Sequence, residues 1–185
     1  MDHPANDPLA PGLAAGDLRT WEALYDRLAG RLYRAAVRLL NCREDAEDAV
    51  QEVFTTVVRS RQRLAEVDDL DAYLFAALRH AAARLAGRNA RLPAASEAAV
   101  RKAVARPEGP REGGRSPELS RALGRLPAAQ REVIALKIDG ELTFAQIGLV
   151  MGTSANTAAS RYRYALEKLR EAMRLEECPR SPCDD

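Results

Sequence analysis

The chain has few aromatic residues, few cysteines and no long hydrophobic run. Only nine of its 185 residues are Phe, Trp or Tyr, and only three are Cys. Cys42 lies far from Cys178 and Cys183, so the cysteines do not form the framework of a disulfide-rich secreted domain. No apolar stretch approaches the roughly 20 residues that span a bilayer, and the N-terminal segment lacks the pattern of a signal peptide. We therefore predict a cytoplasmic protein without a membrane-spanning segment.

Histidine is also scarce, which limits the chemistry that the chain can perform. His3 and His80 are the only two histidines, and no Ser/His/Asp or Cys/His cluster accompanies them. We predict that Cys178 and Cys183 lie in an unstructured tail. The alternative is a zinc or redox site formed by these two cysteines. We predict no catalytic residue, no metal site, no cofactor and no enzymatic activity.

Strong helix formers are abundant instead. The chain contains 35 alanines and 23 leucines, whereas β-branched and aromatic residues are few. This composition predicts an all-α protein and argues against a β-sandwich or barrel. The net charge of only +1 does not indicate what kind of partner the protein binds. The distribution of the charges along the chain is more informative.

Hydrophobic periodicity divides the chain into two small helical domains joined by a flexible linker. Four prolines and three glycines fall within residues 93 to 117, a composition typical of a linker. The predicted boundaries are a disordered segment at 1–16, a first helical domain at 17–92, the linker at 93–116, a second helical domain at 117–175 and a disordered tail at 176–185.

The first domain should contain three helices. Asp17 is a candidate N-cap for a helix that ends near Asn41, and a second helix follows the acidic run that begins at Glu44. Residues 62–71 break the periodicity and are predicted to form a loop. A third helix should run from about Leu70 to Arg91 and become basic towards its end.

The second of these helices carries an acidic stripe. Polar side chains recur at steps of three and four residues along it, namely Asp45, Asp48, Gln51, Glu52 and Thr55. Such a face would repel DNA and attract a basic protein surface. The alternative is a solvated helix face without a partner.

The second domain carries a helix-turn-helix pattern. Thr143 and Gln146 form a capping box, Gly152 provides a tight turn, and Ser154 caps a last helix that ends near Arg174. The N-terminal part of that helix offers polar and basic side chains, namely Asn156, Thr157, Ser160, Arg161 and Arg163. We predict major-groove DNA binding, and the alternative is an αα-hairpin with a solvated face.

Three motifs resemble those of bacterial sigma factors of the extracytoplasmic-function (ECF) group. The stretch D-A-E-D-A-V-Q-E-V-F (45–54) looks like their polymerase-binding helix. The stretches L-P-A-A-Q-R-E-V-I-A-L (126–136) and S-R-Y-R-Y-A-L-E-K-L-R (160–170) resemble the domain that reads the promoter −35 element. The resemblance covers about residues 17–92 and 117–174. It implies a two-domain sigma factor whose partners are core RNA polymerase, promoter DNA and, in many members, an anti-sigma protein.

The resemblance assigns roles to individual residues. Asp48, Gln51 and Glu52 match positions that contact the polymerase clamp, and Asp45 shares their stripe. The segment 62–71 matches the loop that captures a flipped base of the −10 element. Because this loop has no aromatic residue, either Tyr73 and Phe75 supply the stacking or the pocket is aliphatic. Core packing is the alternative role for Tyr73 and Phe75. The cations expected near −10 DNA are Arg79, Arg84 and Arg88.

The −35 roles follow in the same way. Asn156, Ser160 and Arg163 would read bases, with Thr157 on the same segment, whereas Thr143 and Arg161 would contact phosphates. Where the family often has E-G-T-V-K-S-R, this chain has A-N-T-A-A-S-R (155–161), so fewer DNA contacts and a weak −35 affinity are expected. Tyr73 and His80 also replace the Trp and Asn of the family pattern.

Two other functions remain open from the residues alone. A helix-turn-helix regulator would act as a dimer on a palindromic site without polymerase. A helical adaptor that has lost DNA binding would explain the alanines at 155, 158 and 159. Both alternatives predict the same all-α fold.

Overall fold

The computed structural model describes residues 7–91 and 117–177, and every regular element within these ranges is helical, as predicted. We call residues 7–91 the first half and residues 117–177 the second half. The predicted linker and tail fall mostly outside the described residues. The elements are α1 (Ala10–Ala15), α2 (Leu18–Leu40), α3 (Arg43–Arg59), a 3-10 helix (Arg61–Glu66), α4 (Leu70–Arg91), α5 (Pro117–Arg125), α6 (Ala128–Ile134), a π-helical turn (Ala135–Asp139), α7 (Phe144–Met151) and α8 (Ala155–Glu177).

The N-terminal segment departs from the prediction of disorder. Residues 10–15 form α1, whose Leu13 is fully buried, and α1 packs against the 3-10 helix. Asp7 holds the start of this helix, because its carboxylate accepts a hydrogen bond from the Leu9 N–H at 3.0 Å and pairs with Arg27 at 2.7 Å. The composition of residues 1–16 did not predict this helix, because only a few contacts hold it in place. These include the buried Leu13 and the contacts of Asp7. The loop predicted at 62–71 is likewise wrong for residues 62–66, which lie in the 3-10 helix.

Helices α2, α3 and α4 build the core of the first half. The predicted N-cap of α2 is confirmed, since the Asp17 carboxylate accepts a hydrogen bond from the Thr20 N–H at 3.0 Å. The hydrogen bonds from Thr20 lower the pKa of Asp17. Three leucines of α2 that recur every four residues, Leu24, Leu28 and Leu32, are fully buried. This stripe packs α2 against both α3 and α4.

The second half contains an irregular turn at residues 135–140. Gly140 has a φ of −80°, and the next residue, Glu141, takes the positive φ of 55°. The Gly140 N–H donates to the Ala135 carbonyl at 2.9 Å, which closes a π-helical turn. Glycine is required here for space, because a Cβ atom would lie 2.9 Å from Cε1 of Phe75.

The two halves share one hydrophobic core. Fully buried residues of the second half, among them Leu142 and Ile147, belong to the same cluster as Leu74 and Leu78 of α4. Helix α4 packs on α7, and α2 packs on the π-helical turn. A smaller cluster joins α5, α6 and α8. Helix α8 continues to Glu177, three residues beyond its predicted end, and no helix of the described ranges is long and apolar enough to cross a membrane.

Candidate functional site

The acidic face of α3 is open to solvent. Asp48 and Gln51 are exposed, and Glu52 is partly exposed and pairs with Arg84 of α4 at 2.5 Å. Asp45, by contrast, is buried at the start of α3. The stripe predicted from the sequence therefore loses its first member to burial, although the helical spacing puts Asp45 near Asp48 and Glu52.

An open apolar groove lies beside the acidic face and was not predicted. Trp21, Tyr25, Phe54 and Val58 line it, and its volume is about 760 Å³. The rings of Tyr25 and Phe54 lie 5.0 Å apart, and Tyr25 is 56% exposed. Tyr25 therefore lies at the surface of α2, beside the buried Leu24 and Leu28.

The promoter face expected on α4 is partly covered. Phe75 is fully buried beneath the second half, so the alternative of core packing, and not stacking on DNA, describes it in this arrangement. Tyr73 is half-buried. Arg79 pairs with Glu132 of α6, and Arg84 pairs with Glu52 of α3. The Arg88 side chain lies outside the described residues.

The helix-turn-helix has the predicted local geometry. The Gln146 N–H donates to Thr143 Oγ1 at 3.2 Å, and the Thr143 N–H donates to Gln146 Oε1 at 2.8 Å, so the capping box is confirmed. Gly152 ends α7 with a φ of 64°. Ser154 caps α8 by accepting the Thr157 N–H at 3.1 Å.

A second glycine of this motif, Gly148, has a packing role. A Cβ atom at this position would lie 2.8 Å from the Thr153 carbonyl oxygen and 3.1 Å from the Ala155 nitrogen. The tight turn between α7 and α8 therefore requires glycine at residue 148. Its cost to helix propensity is offset by the close approach of the two helices.

The recognition face of α8 is open. Asn156 and Arg163 are exposed, Ser160 and Arg161 are partly exposed, and Arg163 Nη2 lies 3.3 Å from Ser160 Oγ. Thr157 is committed to the helix cap, where its hydroxyl lies 2.8 Å from that of Ser154. Thr143 is exposed at the start of α7, where its hydroxyl lies within the capping box.

One of the alanines that suggested lost DNA contacts is a core residue. Ala158 is fully buried, so its small side chain packs the helix-turn-helix. The aromatic pair Phe144 and Tyr162, with centroids 5.7 Å apart, packs beside it. The alternative of a degenerate helix-turn-helix therefore rests on Ala155 and Ala159 alone.

Each half of the chain matches a known protein-family model. The model of Sigma-70 region 2 matches residues 24–92, and that of Sigma-70 region 4 matches residues 122–171. Among curated proteins, the ECF RNA polymerase sigma factor RpoE of Cereibacter sphaeroides is 42% identical over 55 residues, which span 30% of each chain. Together the two models cover more than half of the sequence, and the chain belongs to the sigma-70 family, in its ECF group.

Solved structures have the same fold. The structure of CnrH in complex with the cytosolic domain of CnrY matches 91% of this chain and 97% of its own, with a TM-score of 0.66 and 22% identity. The sigma factor RpoE in complex with the anti-sigma factor NepR from Bartonella quintana matches 86% of this chain and 100% of its own, with a TM-score of 0.68 and 20% identity. At this identity the matches establish the fold alone.

Proposed function

We propose that this protein binds core RNA polymerase and directs it to promoters, so that transcription initiates at sites that the protein selects. The observation that carries the proposal is the pairing of an open acidic face on the region 2 match with an intact helix-turn-helix on the region 4 match. Neither surface contributes a catalytic group. Phosphodiester chemistry stays with the polymerase, and the protein needs no cofactor.

The polymerase surface is assigned to α3. Asp48 and Gln51 present a polar, acidic face that suits a basic helical partner, and Glu52 stands at its edge. The groove that includes Phe54 and Val58 continues this face and supplies apolar area. A competing anti-sigma protein would use the same continuous surface, and we include such a partner in the proposal.

The promoter surfaces are assigned to α4 and α8. Arg163 and Asn156 project from the first turns of α8, the part of a recognition helix that enters the major groove. Thr143 and Arg161 would contact phosphates on either side. On α4, Tyr73 and Arg79, with Arg84 and Arg88 further along the helix, would approach the −10 element.

The test is reconstitution. The chain is mixed with core RNA polymerase, the complex is purified by gel filtration, and run-off transcription is measured on fragments of the source genome. Defined transcripts should appear only when both components are present. A matched control is the variant Asp48→Arg/Gln51→Arg, which leaves the Glu52–Arg84 pair intact. Co-elution and transcripts that persist with this variant would contradict the assignment of α3.

A dimeric regulator is not favoured. Both halves match one sigma-70 region each in the expected order, which leaves no separate dimerisation domain among the matched residues. If the chain alone bound a palindromic site as a dimer and never associated with polymerase, the proposal would fail in favour of this alternative.

A further inference from the structure

The N-terminal segment packs on the part of the chain that leads into α4. We call residues 7–16 the brace. We call residues 61–71, which include the segment expected to capture a flipped base, the −10 loop. The match to Sigma-70 region 2 begins at residue 24, so the brace lies outside the matched residues. The family match therefore assigns no role to the brace.

The −10 loop has little hold of its own. Residues 61–66 form the 3-10 helix, and among these six residues, all of which the structure describes, only Leu64 is buried. Hydrogen bonds in a 3-10 helix have poorer geometry than those in an α-helix. A short helix with one buried side chain takes its shape from the element against which it packs.

That element is α1. Helix α1 packs against the 3-10 helix. Leu13 of α1 and Leu64 of the loop are both fully buried and belong to the same hydrophobic cluster. The first part of the −10 loop therefore rests on the brace through apolar contacts.

The brace is itself fixed against α2. Gly16 ends α1 with a φ of 83°, and the Asp17 N–H donates to the Gly12 carbonyl at 2.9 Å. This left-handed end turns the chain sharply into α2. A Cβ atom at Gly12 would collide with the Thr20 side chain, so α1 lies directly against the first turn of α2.

An arginine of α2 links the brace to the other end of the −10 loop. Arg27 Nη2 lies 2.7 Å from Asp7 Oδ2 and 3.1 Å from Asp71 Oδ1. Only 14% of the Asp7 side chain and 19% of the Asp71 side chain are exposed, so salt screens these pairs less than it screens surface pairs. Arg31 also pairs with Asp71, at 2.6 Å.

The loop is thus held at two separate places, and polar side chains are exposed between them. Gln62, Arg63 and Glu66 reach solvent, and their directions depend on the backbone that carries them. Tyr73, which the proposed function assigns to the −10 element, follows directly, and its N–H donates to the Asp69 carbonyl at 3.0 Å. A flipped base is read by a shaped pocket, and such a pocket works only when its supports are rigid.

We propose that the brace is a positioning element for promoter recognition, which holds the −10 loop in the shape that captures a base. The inference rests on the proposed function for the capture step, whereas the hold of the brace on the loop does not. Loss of the brace should reduce discrimination at the −10 element. Recognition of the −35 element by α8 should stay unchanged.

The experiment compares promoter discrimination in the complex with core polymerase. Run-off transcription is measured on one promoter, on a set with single-base changes in its −10 element and on a set with changes in its −35 element. Each set gives a ratio of transcription to that of the unaltered promoter. A mere loss of folded protein would lower transcription from every promoter equally and leave both ratios unchanged.

Leu13→Ala removes the buried contact of the brace. At one −10 position its discrimination should fall by about fivefold or more, since one mismatched base ordinarily costs at least that factor. Its −35 ratios and its affinity for polymerase should match those of the unaltered chain. Leu13→Met, which keeps an apolar side chain of similar volume, should retain −10 discrimination.

A second variant avoids a cavity in the core. Asp7→Asn weakens the pair with Arg27 but keeps an oxygen that can accept the Leu9 N–H. Its −10 discrimination should fall less than that of Leu13→Ala, because the apolar contact remains. Ala15→Ser, at an exposed position of α1, is the control and should change neither ratio. Unchanged −10 discrimination in both Leu13→Ala and Asp7→Asn would overturn the inference.

Hydrogen exchange in the free full-length chain tests the hold of the brace without polymerase. The Val67 N–H, which donates to the Leu64 carbonyl at 3.2 Å, reports on the −10 loop. Leu13→Ala should speed its exchange several-fold and leave the amides of α3 unchanged. If the unaltered complex gave no transcripts, the proposed function would fail and the capture step with it. Unchanged exchange at Val67 would overturn the hold of the brace independently.

Discussion

The acidic face of α3 and the promoter face of α4 lie on neighbouring helices of the first half but are presented differently. Asp48 and Gln51 stand free of the second half, whereas Phe75 is fully buried and Arg79 is paired with Glu132. The first surface is ready for a partner as the chain stands. The proposed −10 surface is only partly covered, because Tyr73 is half-buried and Arg84 is exposed and pairs with Glu52 of the first half.

The largest expected effect concerns the exposed acidic face of α3. Asp48→Arg/Gln51→Arg should abolish binding to core polymerase, because reversed charge would face a basic partner. Fluorescence anisotropy with labelled protein measures the affinity. Reversal at an exposed acid outside this face, Glu167→Arg of α8, is the matched control and should leave polymerase affinity unchanged. Equal affinity of the double variant and the unaltered chain would remove α3 from the interface.

Truncation of the buried Phe75 tests how α4 is packed. Phe75→Ala should lower the free energy of unfolding by about 3–5 kcal/mol, as expected for a buried phenylalanine, because its ring packs against Gly140 and the shared core. Tyr73→Ala, at a half-buried position, should cost less stability but impair promoter opening. Urea denaturation measures both variants. A Phe75→Ala protein of unchanged stability would show that α4 is not covered in solution.

The recognition helix offers a base contact and a phosphate contact to compare. Arg163→Ala should weaken the binding free energy for −35 promoters by about 1–3 kcal/mol, as for an arginine that pairs with guanine. Transcription from these promoters should fall, and the preference at one base pair should relax. Arg161→Ala, at the less exposed position, should weaken all promoters about equally and reduce the salt dependence.

A promoter library and a salt titration separate these outcomes. Thermal melting shows whether the loss in Arg161→Ala reflects folding instead of DNA contact. Unchanged transcription in both variants would place the DNA-reading face elsewhere.

The smallest expected effects come from two helical glycines with opposite surroundings. Gly148→Ala should be destabilising, with a typical overpacking cost of about 1–3 kcal/mol, because its Cβ would meet the Thr153 carbonyl in the recognition turn. Gly87→Ala in α4, where an added Cβ would meet no atom from outside its own stretch of helix within 4 Å, should stabilise the protein by up to about 1 kcal/mol. Stability changes of the same sign would contradict the close packing of α7 on α8.

Local signals in the sequence were enough for much of the fold. The Asp17 cap and the Thr143–Gln146 capping box depend on residues a few positions apart, so spacing revealed them. Contacts over long separations were invisible to that reasoning. Nothing near Arg38 in the sequence indicates Asp139, and nothing near Gly140 indicates that this glycine lies against Phe75.

The sequence predicted the exposed residues of α8 but not the burial pattern around α3. Asn156 and Arg163 lie open on α8 as expected, because their positions follow from one capped helix. The burial of Asp45 and the groove at Tyr25 depend on how α3 sits against α2, which periodicity does not determine. Helical phase identifies a polar stripe, but neighbouring helices decide which of its members reach solvent.

We propose that promoter DNA is bound only together with polymerase. An electrophoretic mobility shift tests this proposal with duplex promoter DNA, obtained from the run-off fragments, in the presence of the chain alone, core polymerase alone and both. At physiological salt we expect no nanomolar binding by the free chain and a specific complex with both components. Nanomolar binding by the chain alone, as a dimer on a palindrome, would contradict it.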